Sequence, residues 1–203
     1  MIRVTEVLSY FKEPWYIDWV HRVGRTEANK IAKAAMKVGT EVDKIIKDNS
    51  NGAYLPEKHK VKEVENCLDA YKKWFKVYLP KSIIPCTRLF ATIEGQEVTG
   101  EPDLMVDDVL VDIKCSSKIS PSYWVQVNMY KFLSHIKDRP SLQDTLARDA
   151  IYPGKVGILR LDKMTSSYEY VVQDYDPDKV SMWCGLMRAY VYFNKEKHDG
   201  DEL

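Results

Sequence analysis

Residues 100–117, GEPDLMVDDVLVDIKCSS, constrain this chain more than any other stretch. Two apolar runs flank the pair Asp107-Asp108. A two-residue loop between alternating apolar runs predicts a β-hairpin. In that register Val106 pairs with Val109, Met105 with Leu110, Leu104 with Val111, and Asp103 with Asp112. Side chains alternate along a strand, and paired residues share a side. One face is then Leu104, Val106, Val109, Val111 and Ile113, wholly apolar. The other carries Asp103, Met105, Leu110, Asp112 and Lys114. A three-residue loop would shift the register by one and scatter both sets.

Carboxylates opposed on adjacent strands stand with Cβ atoms about 5 Å apart and repel. Water, a proton, a basic side chain or a metal ion must offset them. Either that face is solvated, as an exposed hairpin with an Asp–Lys pair, or something binds there. Two carboxylates on a rigid sheet suit a hard cation. Mg²⁺ takes one or two carboxylates, several waters and substrate phosphate oxygens. A neighbouring lysine can stabilise a nucleophilic hydroxide or a charge growing on phosphate.

The remaining pattern sets that hairpin among helices. Residues 14–23 have helical spacing and stop at Gly24. Thr26 can N-cap a helix through Asp48, with Ile31, Ala35, Val38, Val42 and Ile45 on one face and Asn51-Gly52 as its stop. Residues 57–79 read as a helix with Leu68, Tyr71, Phe75 and Tyr78 inward. Ile83–Ile93, Val98–Val106 and Val109–Cys115 read as a three-strand meander. Residues 121–137 return to helix with a proline at the start. Lys155–Asp162 and Tyr168–Asp174 form a second hairpin, and residues 177–195 a last helix. The acidic run at 174–178 suits the start of that helix better than a calcium loop. This order predicts an α/β (α+β) fold with a central mixed sheet flanked by helices.

The formal net charge is zero, which excludes a globally basic nucleic-acid binder. The charge is unevenly spread: residues 1–88 hold 17 basic and 11 acidic side chains, and residues 89–203 hold 13 and 19. A basic half beside an acidic half suits a protein that meets a polyanion and also holds cations, though solvated helix faces give the same count. Cys67, Cys86, Cys115 and Cys184 form no CxxC pair, and the four histidines are scattered, so neither a zinc site nor an iron–sulfur cluster is expected. No cationic apolar leader opens the chain and no apolar run reaches a membrane span, so the expected location is cytoplasmic, in a host cell if phage-encoded. The terminal GDEL reads as a polar tail.

Gly100 and Asp103, then Asp112-Ile113-Lys114, then Gln126 and Tyr130 four residues apart, resemble the PD-(D/E)XK nuclease superfamily. The pattern GxxD, (D/E)xK and QxxxY is most similar to its RecB and lambda-exonuclease-like branch, with phage and mitochondrial genome-maintenance exonucleases as the nearest group. VTEVLS, the Trp15–Trp19 segment and Ala35…Gly39-Thr-Glu-Val-Asp43 look like that family's N-terminal helices. The resemblance implies a restriction-endonuclease-like core in a single domain over residues 1–203. Residues 1–80 would be its helical part, 81–175 the sheet core with the active site, and 176–203 the last helix and tail.

The resemblance also implies roles. Asp103 and Asp112 would ligate Mg²⁺ or Mn²⁺, with the Ile113 carbonyl as a further ligand. Lys114 would position or deprotonate the attacking water. Gln126 and Tyr130, one helical turn apart, would contact the active-site edge and the DNA backbone. Asp43 stands where relatives carry a helix histidine, and is either an oxygen ligand or a surface acid of the helix. Glu41 faces elsewhere on that helix. Some relatives carry a glutamate on the first strand, where this chain has Thr87-Arg88. Ser116, Ser117 and Lys118 are candidates for phosphate contact, or for a loop and helix cap. Tyr123 and Trp124 can stack on bases or fill the core. Lys58, Lys60, Lys62, Lys72, Lys73 and Lys76 can track phosphates or form a solvated face. His21 and His135 read as surface or packing residues.

The expected function is a metal-dependent deoxyribonuclease, exonucleolytic, in DNA recombination, repair or replication. Its partners would be single-stranded DNA or duplex ends, and a single-strand annealing or replication protein. The alternatives are an endonuclease of the same superfamily and a non-catalytic DNA-binding or assembly module.

Overall fold

Proline opens three helices of this chain, at Pro14, Pro121 and Pro177. At the first helical position its missing N–H has no intrahelical partner to lose, and its φ is already helical. The computed structural model describes residues 1–49, 55–136 and 154–199. The elements run β1 (Ile2–Arg3), α1 (Val4–Tyr10), α2 (Pro14–Val23), α3 (Arg25–Asp48), α4 (Lys62–Tyr78), β2 (Ile83–Pro85), β3 (Leu89–Ile93), β4 (Gln96–Gly100), β5 (Leu104–Val106), β6 (Val109–Lys114), α5 (Pro121–Ile136), β7 (Lys155–Leu161), β8 (Tyr168–Asp174) and α6 (Pro177–Asp199). Five strands form a mixed sheet in the order β2-β5-β6-β7-β8, and three form a smaller sheet, β1-β4-β3. The parallel pair β6 and β7 is spanned by α5, and the other neighbours in the larger sheet are antiparallel.

The hairpin has the register its sequence predicts: Leu104 pairs with Val111, Met105 with Leu110 and Val106 with Val109. Both of its faces are buried. Leu104, Val106, Val109, Val111 and Ile113 pack with Val42 and Ile46 of α3 and with Leu68, Tyr71 and Trp74 of α4. Leu110 joins the opposite core, where Met129, Phe132 and Leu133 of α5 meet Trp183 and Met187 of α6. Trp183 also donates from its indole N–H to the Val4 carbonyl at 3.2 Å, tying the last helix to the first. Each large apolar side chain buried in these layers contributes about 1.5–3 kcal/mol. So the face that carries Asp112 lies beneath helix α5, not in solvent.

Several boundaries differ from expectation. Gly24, at φ 83°, ends α2 and caps α3, so Thr26 lies inside the first turn instead of capping it. Ile31 is 42% exposed whereas Val42 and Ile46 are fully buried, because α3 meets the sheet with its C-terminal half. Helix α4 begins at Lys62, not residue 57. Before it, the Glu65 carboxylate accepts from His59 N–H and the His59 ring accepts from Val61 N–H, local bonds that compete with helix. Tyr78 lies at the exposed end of α4, and Trp74 is buried in its place. The helix stop at Asn51-Gly52 and the tail at 200–203 lie outside the described residues.

The expected meander breaks in two. Its first strand becomes β2 and β3, its second β4 and β5, and each pair divides between the two sheets. The breaks fall together, at residues 86–88 and 101–103, where Cys86 N–H donates to the Asp103 carbonyl at 3.0 Å. Pro102 has no N–H to give a ladder, so the strand cannot run through it. This shared bend places Asp103 just before β5, at the end of the strand. At the last helix, Asp176 accepts from Asp178 N–H at 3.0 Å, the capping role expected of the acidic run.

Candidate active site

The chain delivers its acidic residues from three directions. Asp112 lies in β6 and is 1% exposed. Asp103 follows the Pro102 bend, and Asp43 projects from the C-terminal half of α3. The expected ladder pair Asp103–Asp112 is not formed, because the β5–β6 ladder ends at Leu104 and Val111. Asp103 instead turns its carboxylate onto the next strand and accepts from Ile113 N–H at 2.6 Å. The N–H and C=O of one strand residue project to the same edge, so the Ile113 carbonyl points to the Asp103 side too.

Two ammonium groups serve these carboxylates. Lys114 Nζ lies 2.6 Å from Asp112 Oδ2. Lys47 Nζ bridges Asp43 at 3.1 Å, Asp103 at 3.3 Å and Glu101 at 3.8 Å. Glu101 is also held by Arg88, whose Nε and second guanidinium nitrogen donate to one carboxylate oxygen at 2.9 and 2.6 Å. Lys47, Glu101 and Arg88 extend the expected set. Lys47 had a local signal, since it stands four residues after Asp43 on the same helix face.

Gln126 organises the interior of the site. Its Nε2 donates to Asp112 Oδ1 at 3.1 Å and to Tyr130 Oη at 2.9 Å, and its Oε1 accepts from Lys114 Nζ at 3.2 Å. Gln126 is 7% exposed and Tyr130 3%. Their polar atoms are buried against Asp112 and Lys114. Tyr130 fits because Gly100 lacks a side chain; a Cβ there would stand 2.6 Å from the tyrosine ring. Burial pushes the Tyr130 phenol well above its ordinary range, so it stays protonated.

Three acids share this end of the sheet with two ammonium groups. Burial, and then the neighbouring Asp103 charge, push Asp43 up to about 6 against the pull of Lys47. Burial pushes Asp112 up to about 7, with Lys114 opposing and Asp103 and Asp43 adding to it. Lys114 is raised as well: burial disfavours its charge, but Asp112 and Asp103 outweigh that. Asp43, Asp112 and Lys114 are thus all raised, the two acids chiefly by burial and the lysine by the carboxylates around it.

Among the described residues, no three His, Cys, Asp or Glu side chains form a ready-made metal cage. Mg²⁺ seldom uses one; it binds through one or two carboxylates and keeps its waters. The donors here are all hard oxygens. Among the described residues, the buried Asp43 Oδ1 has no hydrogen-bond partner, and Asp112 Oδ2 meets only the Lys114 ammonium. The residues present therefore fit a hard divalent cation.

Around this centre, Ser116 Oγ donates to the Lys118 carbonyl at 2.9 Å, and the Ser116 carbonyl accepts from Arg160 at 3.3 Å. Ser117 and Lys118 are exposed on the turn after β6. Trp124 is half-buried against Val127, Val156 and Ile158. Glu41 is exposed and faces His59 at 3.7 Å. Of the α4 lysines, Lys62 pairs with Glu65, and Lys72 and Lys73 donate to the carbonyls of Pro56 and Ser166. His21 is exposed, and His135 packs edge-on against Tyr175. Among the described residues, no helix is long and apolar enough to cross a membrane.

No family model matches the chain. No curated protein matches it. Among solved structures, SSO0001 aligns over 95% of this chain and 75% of its own, at 11% identity and a TM-score of 0.47. An alkaline exonuclease from Laribacter hongkongensis, LHK-Exo, aligns over 98% of this chain and 93% of its own, at 13% identity and a TM-score of 0.42. LHK-Exo in complex with dAMP aligns over 78% and 80%, at 12% identity and a TM-score of 0.39. Likeness at this level carries no assignment of function.

Proposed function

We propose that this chain is a divalent-metal-dependent deoxyribonuclease that hydrolyses DNA phosphodiester bonds, working inward from DNA ends. The observation that carries the reading is the gathering of Asp43, Asp103, Asp112 and Lys114 at one end of the central strands, with Gln126 bonded to both Asp112 and Lys114. Asp103, Asp112 and Asp43, with the Ile113 carbonyl, would hold Mg²⁺ or Mn²⁺. Such a cation, when bound, supplies a Lewis acid for the phosphate and a more acidic water.

The chain's own groups do the rest. Lys114 presents an ammonium to the attacking water and to charge growing on the phosphate. Gln126 fixes the direction of that ammonium, and Tyr130 fixes Gln126. Lys47 holds Asp43 and Asp103 together against their repulsion. Ser117 and Lys118 stand exposed beside the site, free to meet the DNA backbone. The preference for DNA ends rests on the sequence resemblance, as does a role in recombination, repair or replication beside an annealing or replication protein.

The test is a cleavage assay on end-labelled single- and double-stranded linear DNA and on closed circles, with Mg²⁺ and with EDTA. Linear DNA should shorten from its ends in Mg²⁺, while circles stay intact and EDTA stops the reaction. Cutting of closed circles would replace the exonuclease with an endonuclease. No cleavage in either Mg²⁺ or Mn²⁺ would leave a DNA-binding module.

A further inference from the structure

Three lysines stand over three aromatic rings on one side of the molecule. Lys114 Nζ is 5.1 Å from the centre of the Tyr123 ring, Lys118 Nζ 4.7 Å from Trp15, and Lys12 Nζ 5.2 Å from Tyr16. The first pair belongs to the candidate active site, and the other two lead away from it. All three rings line one hollow of about 140 Å³. Through Phe11, Trp15 and Ser122 that hollow adjoins a larger cavity of about 590 Å³, between the α1–α2 connection and the starts of α5 and α6.

The larger cavity is apolar on most sides, with Leu8, Phe11, Trp15, Val125 and Met182 in its walls. Trp15 is 46% exposed and Met182 57%, so these groups meet water. One built polar group stands at the junction. The Glu13 carboxylate accepts from Trp15 Nε1 and from Ser120 Oγ. Those bonds, with others from Ser122, outweigh burial and hold Glu13 below the usual carboxylate range.

An apolar peptide would fill the cavity but would bring no anionic group to Lys12 and Lys118. A single nucleic-acid strand supplies both halves of the pattern: regularly spaced phosphates for ammonium groups, and a π-face on every base. A cavity of this size falls within the range of ordinary ligand pockets, about 300–1,000 Å³. We propose that Lys114/Tyr123, Lys118/Trp15 and Lys12/Tyr16 form a track for single-stranded DNA leaving the candidate active site, and that the cavity beside Trp15 receives one unpaired base. This rests on the nuclease reading and adds to it the substrate form, a frayed or single-stranded end. Glu13 offers an acceptor to an exocyclic amino group at the cavity mouth.

The test is binding of a fluorescein-labelled 12-nucleotide strand (roughly the upper range of a single-strand site) in EDTA, where nothing is cut. It is compared with a strand of equal length and charge carrying abasic sites throughout. The normal strand should bind at least about fivefold tighter, the low end of one stacked base. Trp15→Ala should remove most of that preference and leave the weaker, salt-dependent binding of the abasic strand, while Trp15→Phe restores it. Trp15 is 46% exposed and outside the buried core, so both variants should keep the wild-type circular dichroism spectrum. Equal binding of the two strands, or an unchanged preference in Trp15→Ala, overturns the track. Metal-dependent cleavage without base preference would sink this inference alone. Base-dependent binding with no cleavage in Mg²⁺ or Mn²⁺ would sink the nuclease reading and keep the track.

Discussion

The hairpin Leu104–Lys114 holds an aspartate pair at its turn and another at its open end, and the two ends use the same side chain for different work. At the turn, Asp107 takes φ 55° and its carboxylate accepts from Lys81 N–H at 2.9 Å and Ser82 N–H at 3.0 Å. Asp108 beside it is exposed. At the open end, Asp103 takes one backbone N–H and Lys47, and Asp112 takes Lys114 and Gln126. Backbone donors cannot leave, so the turn carboxylate only fixes shape. Ammonium groups and a side-chain amide can give way, so under the proposed function these are the carboxylates a cation would claim. What a carboxylate does is set by the donors that reach it.

Substitutions can break that contrast, in descending order of effect. Asp112→Asn should lower cleavage of end-labelled DNA by on the order of 10²–10⁴-fold, the weight of a group placed in the transition state, while the fold stays intact. Wild-type rates in that variant would remove Asp112 from the site. Lys114→Ala should destabilise the protein by about 3–5 kcal/mol in urea unfolding, because it strands a buried carboxylate. Adding Asp112→Asn to it should recover much of that loss, and a double variant no more stable than the single one would refute the pairing.

Mg²⁺ gives a gentler probe. At a concentration near 100 times its dissociation constant it should stabilise the wild type by about 2.7 kcal/mol. Asp112→Asn should respond much less, and an equal response in both would place the cation elsewhere. The turn should give the smallest effects. Asp107→Ala should cost about 0.5–2 kcal/mol through its two lost backbone bonds, with no change in cleavage rate per folded molecule. Asp108→Asn should stay within about 0.5 kcal/mol of wild type. A large loss of cleavage in either turn variant would erase the distinction between the ends.

Much of this arrangement was legible along the chain. The alternation 104–113 gives the faces and register of β5 and β6, because a two-residue loop permits few pairings. The spacing of Gln126 and Tyr130 puts them on one face of α5, and they do bond each other. The strand breaks at residues 86–88 and 101–103 were less legible. Pro102 marks one of them, but the matching bend at Cys86 depends on a partner strand. The inward turn of Gln126 was also hidden, since glutamine is equally at home on a solvent face.

What the sequence by itself determined is local: periodicity, turn chemistry and proline positions select helix, strand and register through contacts within a few residues. The tertiary structure alone decided that Lys47 would bridge Asp43 to Asp103, that Asp103 would accept from Ile113 instead of facing Asp112, and that Trp15 would lie under Lys118. Most of these contacts join residues far apart in the chain. Their energies depend on burial and on the distance between charges, and neither exists until the helices close over the sheet.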